Sequence, residues 1–244
     1  MALVTARLQH ANRAAQFQAF SLRAEGGVIS PILGVDHYWM HAPTFPPHHH
    51  AGMSAVSYLL RDSETGMDNR DSIGTVNLIQ PGGLHWTTAG RGVNHEEVPA
   101  ERGKSVHGLQ IFVGLAPSKR DIAPFPLTID PDQVPIVTLP GATVHVPVGQ
   151  FAGARSPLIP PTEMTLLDIQ LDASSELNVP LPKGYGGFAM VINGTVEIDG
   201  QSFSKGDLQV PVFPAQDVAQ DLVFKATQDG ATLVIFSGPP LPIA

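Results

Sequence analysis

Cysteine is absent from all 244 residues. That removes disulfide scaffolds, Cys-ligated zinc, iron–sulfur clusters and thiol nucleophiles together, so any metal must sit on His, Asp or Glu. Positive charge is also scarce. Lys plus Arg is 14 against 22 Asp plus Glu, a formal net charge of −8, with no basic run. Binding through a nucleic-acid backbone needs a clustered basic surface, so no direct nucleic-acid partner is expected. No segment approaches ~20 apolar residues, so no membrane span is expected. The first twenty residues, MALVTARLQHANRAAQFQAF, are interrupted by Arg7, His10 and Arg13 before a signal-peptide core can accumulate. The expectation is a soluble, cytoplasmic protein.

What is abundant is turn-forming residues: 24 Gly and 23 Pro beside 43% hydrophobic residues. That mixture is too rich in turns for a helical bundle and too apolar for disorder. Short alternating runs at 54–62, 74–82, 108–117, 164–172, 187–200 and 231–238 read as strands, with Asn193-Gly194 and Asp199-Gly200 as hairpin-type dipeptides. Helical periodicity is weak and confined to residues 7–17. The expected class is all-β, with strands in antiparallel sandwiches or barrels. Residues 115–141 carry six prolines, which exclude continuous pairing in a sheet interior and mark a linker at 118–141. The corners IQPGGLHW (79–86) and FSKGDLQVP (203–211) resemble each other, which points to two barrels of one type in tandem, 1–117 and 142–244.

All ten histidines lie at or before residue 145. On a strand, His48 and His50 project to one face and His49 to the other, and the same parity unites His95 with Glu97. The candidate ligand set is therefore His48, His50, His95 and Glu97. Three imidazoles and a carboxylate suit Fe(II), Mn(II), Ni(II), Co(II) or Zn(II), and on an octahedral ion leave two positions for a ligand. Plainer readings stand beside this one: a polar loop or adventitious nickel patch for the triple histidine after Pro46-Pro47, and a surface histidine in an acidic cluster for His95. The other histidines, His10, His37, His41, His85, His107 and His145, read as structural or solvated. Gly90 and Gly92 read as turn residues. Arg91 either holds Glu96 or Glu97 through a charge-assisted bond or is solvated.

The stretches PPHHHAGMSAVSYLL (46–60) and DSIGTVNLIQPGGLHWTTAGRGVNHEEVP (71–99) resemble the pirin family of the cupin superfamily. Its first motif is H-P-H-R-G-F-E-T-V-T-Y and its second Q-W-M-T-A-G-x-G-x-x-H-S-E, matched here most closely from Trp86 to Glu97. GLQIFVGLAP (108–117) resembles a further segment. The resemblance implies a bicupin, two jelly-roll barrels in one chain. The first would hold one metal, Fe(II), through His48, His50, His95 and Glu97, and the second would commonly lack a metal. Where the family has Pro, Arg, Phe and Glu, this chain has His49, Ala51, Met53 and Ser54, which spares every ligand but changes the surroundings of the site. The resemblance further implies a dioxygenase of the quercetin 2,3-dioxygenase type, acting on a flavonol or related aromatic with dioxygen, with Glu97 as the catalytic proton acceptor. The alternative is a metal-binding regulator with a protein partner and no turnover.

Overall fold

The structure, a computed structural model, describes residues 3–13, 16–24 and 27–242. Four sheets account for the strands. A seven-stranded sheet runs in the order Phe125–Ile129, Leu84–Thr88, Met53–Leu59, Val106–Gly114, Ile32–Met40, Phe17–Arg23, Gln9–Arg13. It faces a four-stranded sheet, His48–His50, Val93–Pro99, Met67–Asp71, Val76–Ile79. Phe17, Tyr38, Met40 and Leu59 from the first meet Met67 and Ile79 from the second in one apolar cluster, the interior of the first barrel.

The rest of the chain repeats this plan. In a nine-stranded sheet the path is Val4–Arg7, Gln209–Phe213, Gly186–Ile198, Gln220–Gly238, Thr165–Leu171, Ala142–Val148, Ile136–Leu139, with Glu176–Leu181 and Gln201–Ser204 attached to the two longest strands. Those long strands, of 13 and 19 residues, each run through both layers of the second barrel and bend at register shifts near Asn193 and Val196. Asn193-Gly194 is thus a bulged bend inside a strand and not a hairpin turn, because Gly194, at φ 75, kinks the chain without reversing it. Asp199-Gly200, at φ 50 and 75, does reverse it, joining Gly186–Ile198 to Gln201–Ser204 as a primed turn. The corner at 79–86 leads from Val76–Ile79 at the edge of the smaller sheet to Leu84–Thr88 in the larger, and that at 203–211 leads from Gln201–Ser204 to Gln209–Phe213.

The two larger sheets pack face to face. Leu22, Val35, Val56, Leu109 and Ile111 of the first barrel share a cluster with Leu166, Phe188, Val212, Val234 and Phe236 of the second. Alternation produces this: on Ile32–Met40, Val35 turns to the partner barrel while Tyr38 and Met40 turn to the interior, and Ile32, beyond a register shift, joins Val35. Arg7 and Gln9–Arg13 are strand where weak helical periodicity was expected, since Gln9–Arg13 is held against Phe17–Arg23 by pairing that outweighs local propensity; residues 14 and 15 lie outside the described residues. The proline-rich stretch contributes two edge strands. Phe125–Ile129 completes the first barrel against Leu84–Thr88, and Ile136–Leu139 borders the second against Ala142–Val148. Val4–Arg7 does not join its own barrel but pairs with Gln209–Phe213 in the other.

Candidate metal centre

The triple histidine and the strand that follows it are separate elements. The chain divides at Gly52, φ 71, into His48–His50 in the smaller sheet and Met53–Leu59 in the larger, and this corner sets the histidines on the barrel wall. His48 pairs directly with His95, and His50 with Val93. His48, His50 and His95 therefore share the inner face. His49 points outward, its Nδ1 3.0 Å from Asn94 Oδ1.

The strand carrying His95 enters from a turn that only glycine fits. Gly90 has φ +50, and a Cβ there would lie 2.2 Å from the Ile122 carbonyl oxygen. Gly90→Ala is expected to cost about 1–3 kcal/mol of stability, read from the urea midpoint. Arg91 is exposed and, among the described residues, makes no ion pair with Glu96 or Glu97.

The ring nitrogens of His48, His50 and His95 lie within 4.8 Å of one another. His95 Nε2 is 3.1 Å from His50 Nε2 and 3.2 Å from His48 Nε2. Adjacent nitrogens on an octahedral ion with ~2.1 Å bonds are ~3.0 Å apart, so the two separations made by His95 match neighbouring positions on one divalent ion. His48 Nδ1 lies 3.1 Å from the Pro46 carbonyl, which as donor to that oxygen leaves its Nε2 lone pair turned inward. Burial, then His48 and His49, lower the His50 pKa to about 4; burial, then His50 and His48, lower that of His95 to about 3. Neutral imidazoles with free lone pairs are the form a metal requires.

Glu97 lines the same cavity as His48 and His50, but its carboxylate is not in the three-histidine group. Ser57 Oγ sits 2.8 and 2.7 Å from its two oxygens. Burial raises its pKa to about 7 against the opposing Ser57 bond. The cavity, of ≈ 140 Å³, is walled largely by Phe17, Met40, Phe45 and Phe112, with Gln110 and Tyr38 as further polar contributors. The Tyr38 hydroxyl is buried with no partner among the described residues, and burial followed by Glu97 raises its pKa well above 10, keeping it a donor. Ser57, Tyr38 and Gln110 were not singled out from the sequence. They stand at inward positions of alternating strands, and parity was the one signal that would have pointed to them.

Four histidines read as structural or solvated are buried: His37, His85, His107 and His145. His85 bonds to Asn69 and Thr87, at 3.3 and 3.0 Å from its Nε2, and burial lowers its pKa to about 4. His37, on the opposite face from the metal cavity, contacts His107 and is lowered to about 3 by burial, then by His107. His37 and His85 both titrate in the native state below the ~6.5 of an unfolded chain, so between pH 6.5 and 4 the unfolded state binds more protons and stability falls as pH falls. Acidification of the metal-free protein from pH 7.5 to 5 should cost about 2 kcal/mol for each histidine, with the urea midpoint as readout and a shallower slope in His85→Gln.

The second barrel presents the same wall without donors. Counted from where each strand pairing begins, at Pro99 with Met67 and at Ala226 with Val196, the positions of His48, His50, His95 and Glu97 are taken by Val179, Leu181, Leu222 and Phe224. All four belong to its apolar interior.

Two antiparallel barrels of one plan, packed through their larger sheets, with imidazoles converging inside the first, define a bicupin. Comparison with known proteins places it more narrowly. The chain belongs to the pirin family: the pirin sequence model matches residues 3–113 and that of the pirin C-terminal cupin domain matches residues 166–244. Mouse pirin is 36% identical over 171 residues, 70% of this chain and 58% of that protein, so the match spans under two thirds of that relative's length. A solved protein of Geobacillus kaustophilus superposes with a TM-score of 0.88 at 23% identity, over 99% of this chain and 96% of that one. A quercetin 2,3-dioxygenase of Acinetobacter baumannii superposes with a TM-score of 0.84 at 21% identity, over 98% and 79%. No helix among the described residues is long and apolar enough to cross a membrane.

Proposed function

We propose that the first barrel is a mononuclear metal centre, with His48, His50 and His95 as ligands and Glu97 as fourth ligand or adjacent base, and that the protein is an oxygenase of the quercetin 2,3-dioxygenase type. The observation that carries this reading is the convergence of three imidazoles, of which His48 and His50 line an aromatic-walled cavity. The preferred ion is Fe(II), with Mn, Ni, Co and Zn compatible with the same donors. When bound, such an ion supplies Lewis-acid polarisation of a substrate oxygen and a binding position for dioxygen.

The chain's own residues do the rest. Glu97, poised near pH 7 by burial, accepts the proton of a phenolic or enolic hydroxyl, and Ser57 fixes the carboxylate plane while it does so. The Tyr38 hydroxyl offers an uncommitted donor to a substrate oxygen. Phe17, Phe45 and Phe112 face a planar aromatic and exclude water. The test is dioxygen uptake by anaerobically purified, metal-loaded protein on adding quercetin. Uptake in the parent and its loss in Glu97→Gln with metal retained is the expected result; metal-loaded protein without uptake on a panel of flavonols defeats the oxygenase assignment.

A second reading, a metal-holding regulator without turnover, has one observation in its favour. Val76 and Leu78 are 71% and 48% exposed on the edge strand Val76–Ile79, a place where a protein partner would be expected to add contacts.

A further inference from the structure

The two barrels leave a second polar cavity where they meet. A cleft of ≈ 370 Å³ opens between the Leu60–Asp62 segment and His107 of the first barrel and the central strands of the second, with Lys205 beside them. It lies on the far side of the larger sheet from the histidine cluster, since His107 turns away from the interior that Gln110 and Phe112 face.

Its charges are unevenly satisfied. Both acids are committed: Asp62 Oδ1 lies 2.7 Å from His107 Nδ1, and Asp168 Oδ2 accepts the Tyr58 hydroxyl at 2.6 Å. Both cations are not. Arg61 from the first barrel and Lys205 from the second line the cleft, and among the described residues neither side chain takes part in an ion pair or hydrogen bond. Gln170, Asn193 and Thr232 add neutral hydrogen-bonding groups to the wall. The imidazoles register the resulting field: after burial, Arg61 helps to lower the His145 pKa, and Lys205, after burial and His107, helps to lower that of His37.

We infer that this cleft binds a compact oxyanion of two or more negative charges, carboxylate or phosphate, held between Arg61 of one barrel and Lys205 of the other. A planar guanidinium takes two oxygens side by side, an ammonium supplies a mobile point charge, and ligands favour the seams between domains. An anion there would tie the barrels together at a place remote from the metal cavity, so the site is independent of the oxygenase reading.

The experiment is calorimetric titration of the full-length, metal-loaded protein with inorganic phosphate and, separately, with succinate, at ionic strength held constant with sodium chloride. Saturable binding of one anion per chain is expected, weakened at least tenfold in Arg61→Gln and in Lys205→Gln, and unchanged in His50→Ala. The tighter of the two probes identifies the phosphate or carboxylate class. The inference is overturned if neither anion saturates, if the heats indicate an adventitious ion only, if both cleft variants bind as the parent does, or if His50→Ala abolishes binding and so moves the anion to the metal centre.

Discussion

His95→Ala should leave the protein folded and nearly free of metal. His95 is the hub of the cluster, since its Nε2 makes the 3.1 and 3.2 Å approaches to both other rings. Its loss leaves two donors on one short strand, His48 and His50, which cannot cap a face of an octahedral ion alone. Removal of groups that merely orient ligands costs 10–100-fold in metal affinity, so loss of a ligand should cost at least about 100-fold. Metal analysis after dialysis should fall from near one ion per chain to less than a tenth. His49→Ala is the matched control, because His49 faces away from the cluster and contacts Asn94. Equal metal content in the parent and His95→Ala would remove the proposed centre, and equal losses in both variants would mean the metal had been held on the surface.

Tyr58→Phe is expected to produce the largest loss of stability from removal of a single atom. The Tyr58 hydroxyl donates to Asp168 across the seam between barrels, with Tyr58 fully buried and Asp168 4% exposed. Deleting it strands a buried carboxyl, at a cost of about 2–3 kcal/mol. The pH dependence separates this from a packing defect. Burial raises the Asp168 pKa above its ordinary value, against the Tyr58 bond and Arg61, so the native state binds its proton more tightly than the unfolded chain does. Stability linked to that group is present at low pH and is lost as pH rises through the native pKa. Without Tyr58 the loss on going from pH 4 to 7 should steepen, and Asp168→Asn in the Tyr58→Phe background should flatten it again. Denaturant midpoints across that range are the measurement. A uniform offset at every pH would reduce the tyrosine's role to filling space.

The parts of the molecule legible in the sequence are those governed by strand parity. His48 and His50 on one face, with His49 on the other, follow from a period of two, and so does the shared face of His95 and Glu97. The corners at 79–86 and 203–211 were readable because tight turns need particular residues wherever they occur. Contacts between distant strands were not legible. Ser57 under Glu97 and Tyr58 on Asp168 are neighbours in sequence that serve opposite faces of one sheet, and nothing local distinguishes them from other residues of an alternating run. Asn193-Gly194 misleads for a related reason: the dipeptide specifies a positive φ, and the strands around it decide whether the chain reverses or only bends.

The strand Val4–Arg7 has a bearing on how the chain is made. It is synthesised some two hundred residues before its partner, since Val4 pairs with Val212 and Arg7 with Gln209 in the second barrel. The first barrel finds its own closing strand much sooner, in Phe125–Ile129. During translation Val4–Arg7 must therefore wait, its partner strand not yet made, until Gln209–Phe213 has emerged, and so long a closure is slow. Order of assembly is thus written into the topology: one barrel can close while the other is still being made, and the second closes by recapturing a strand synthesised long before it.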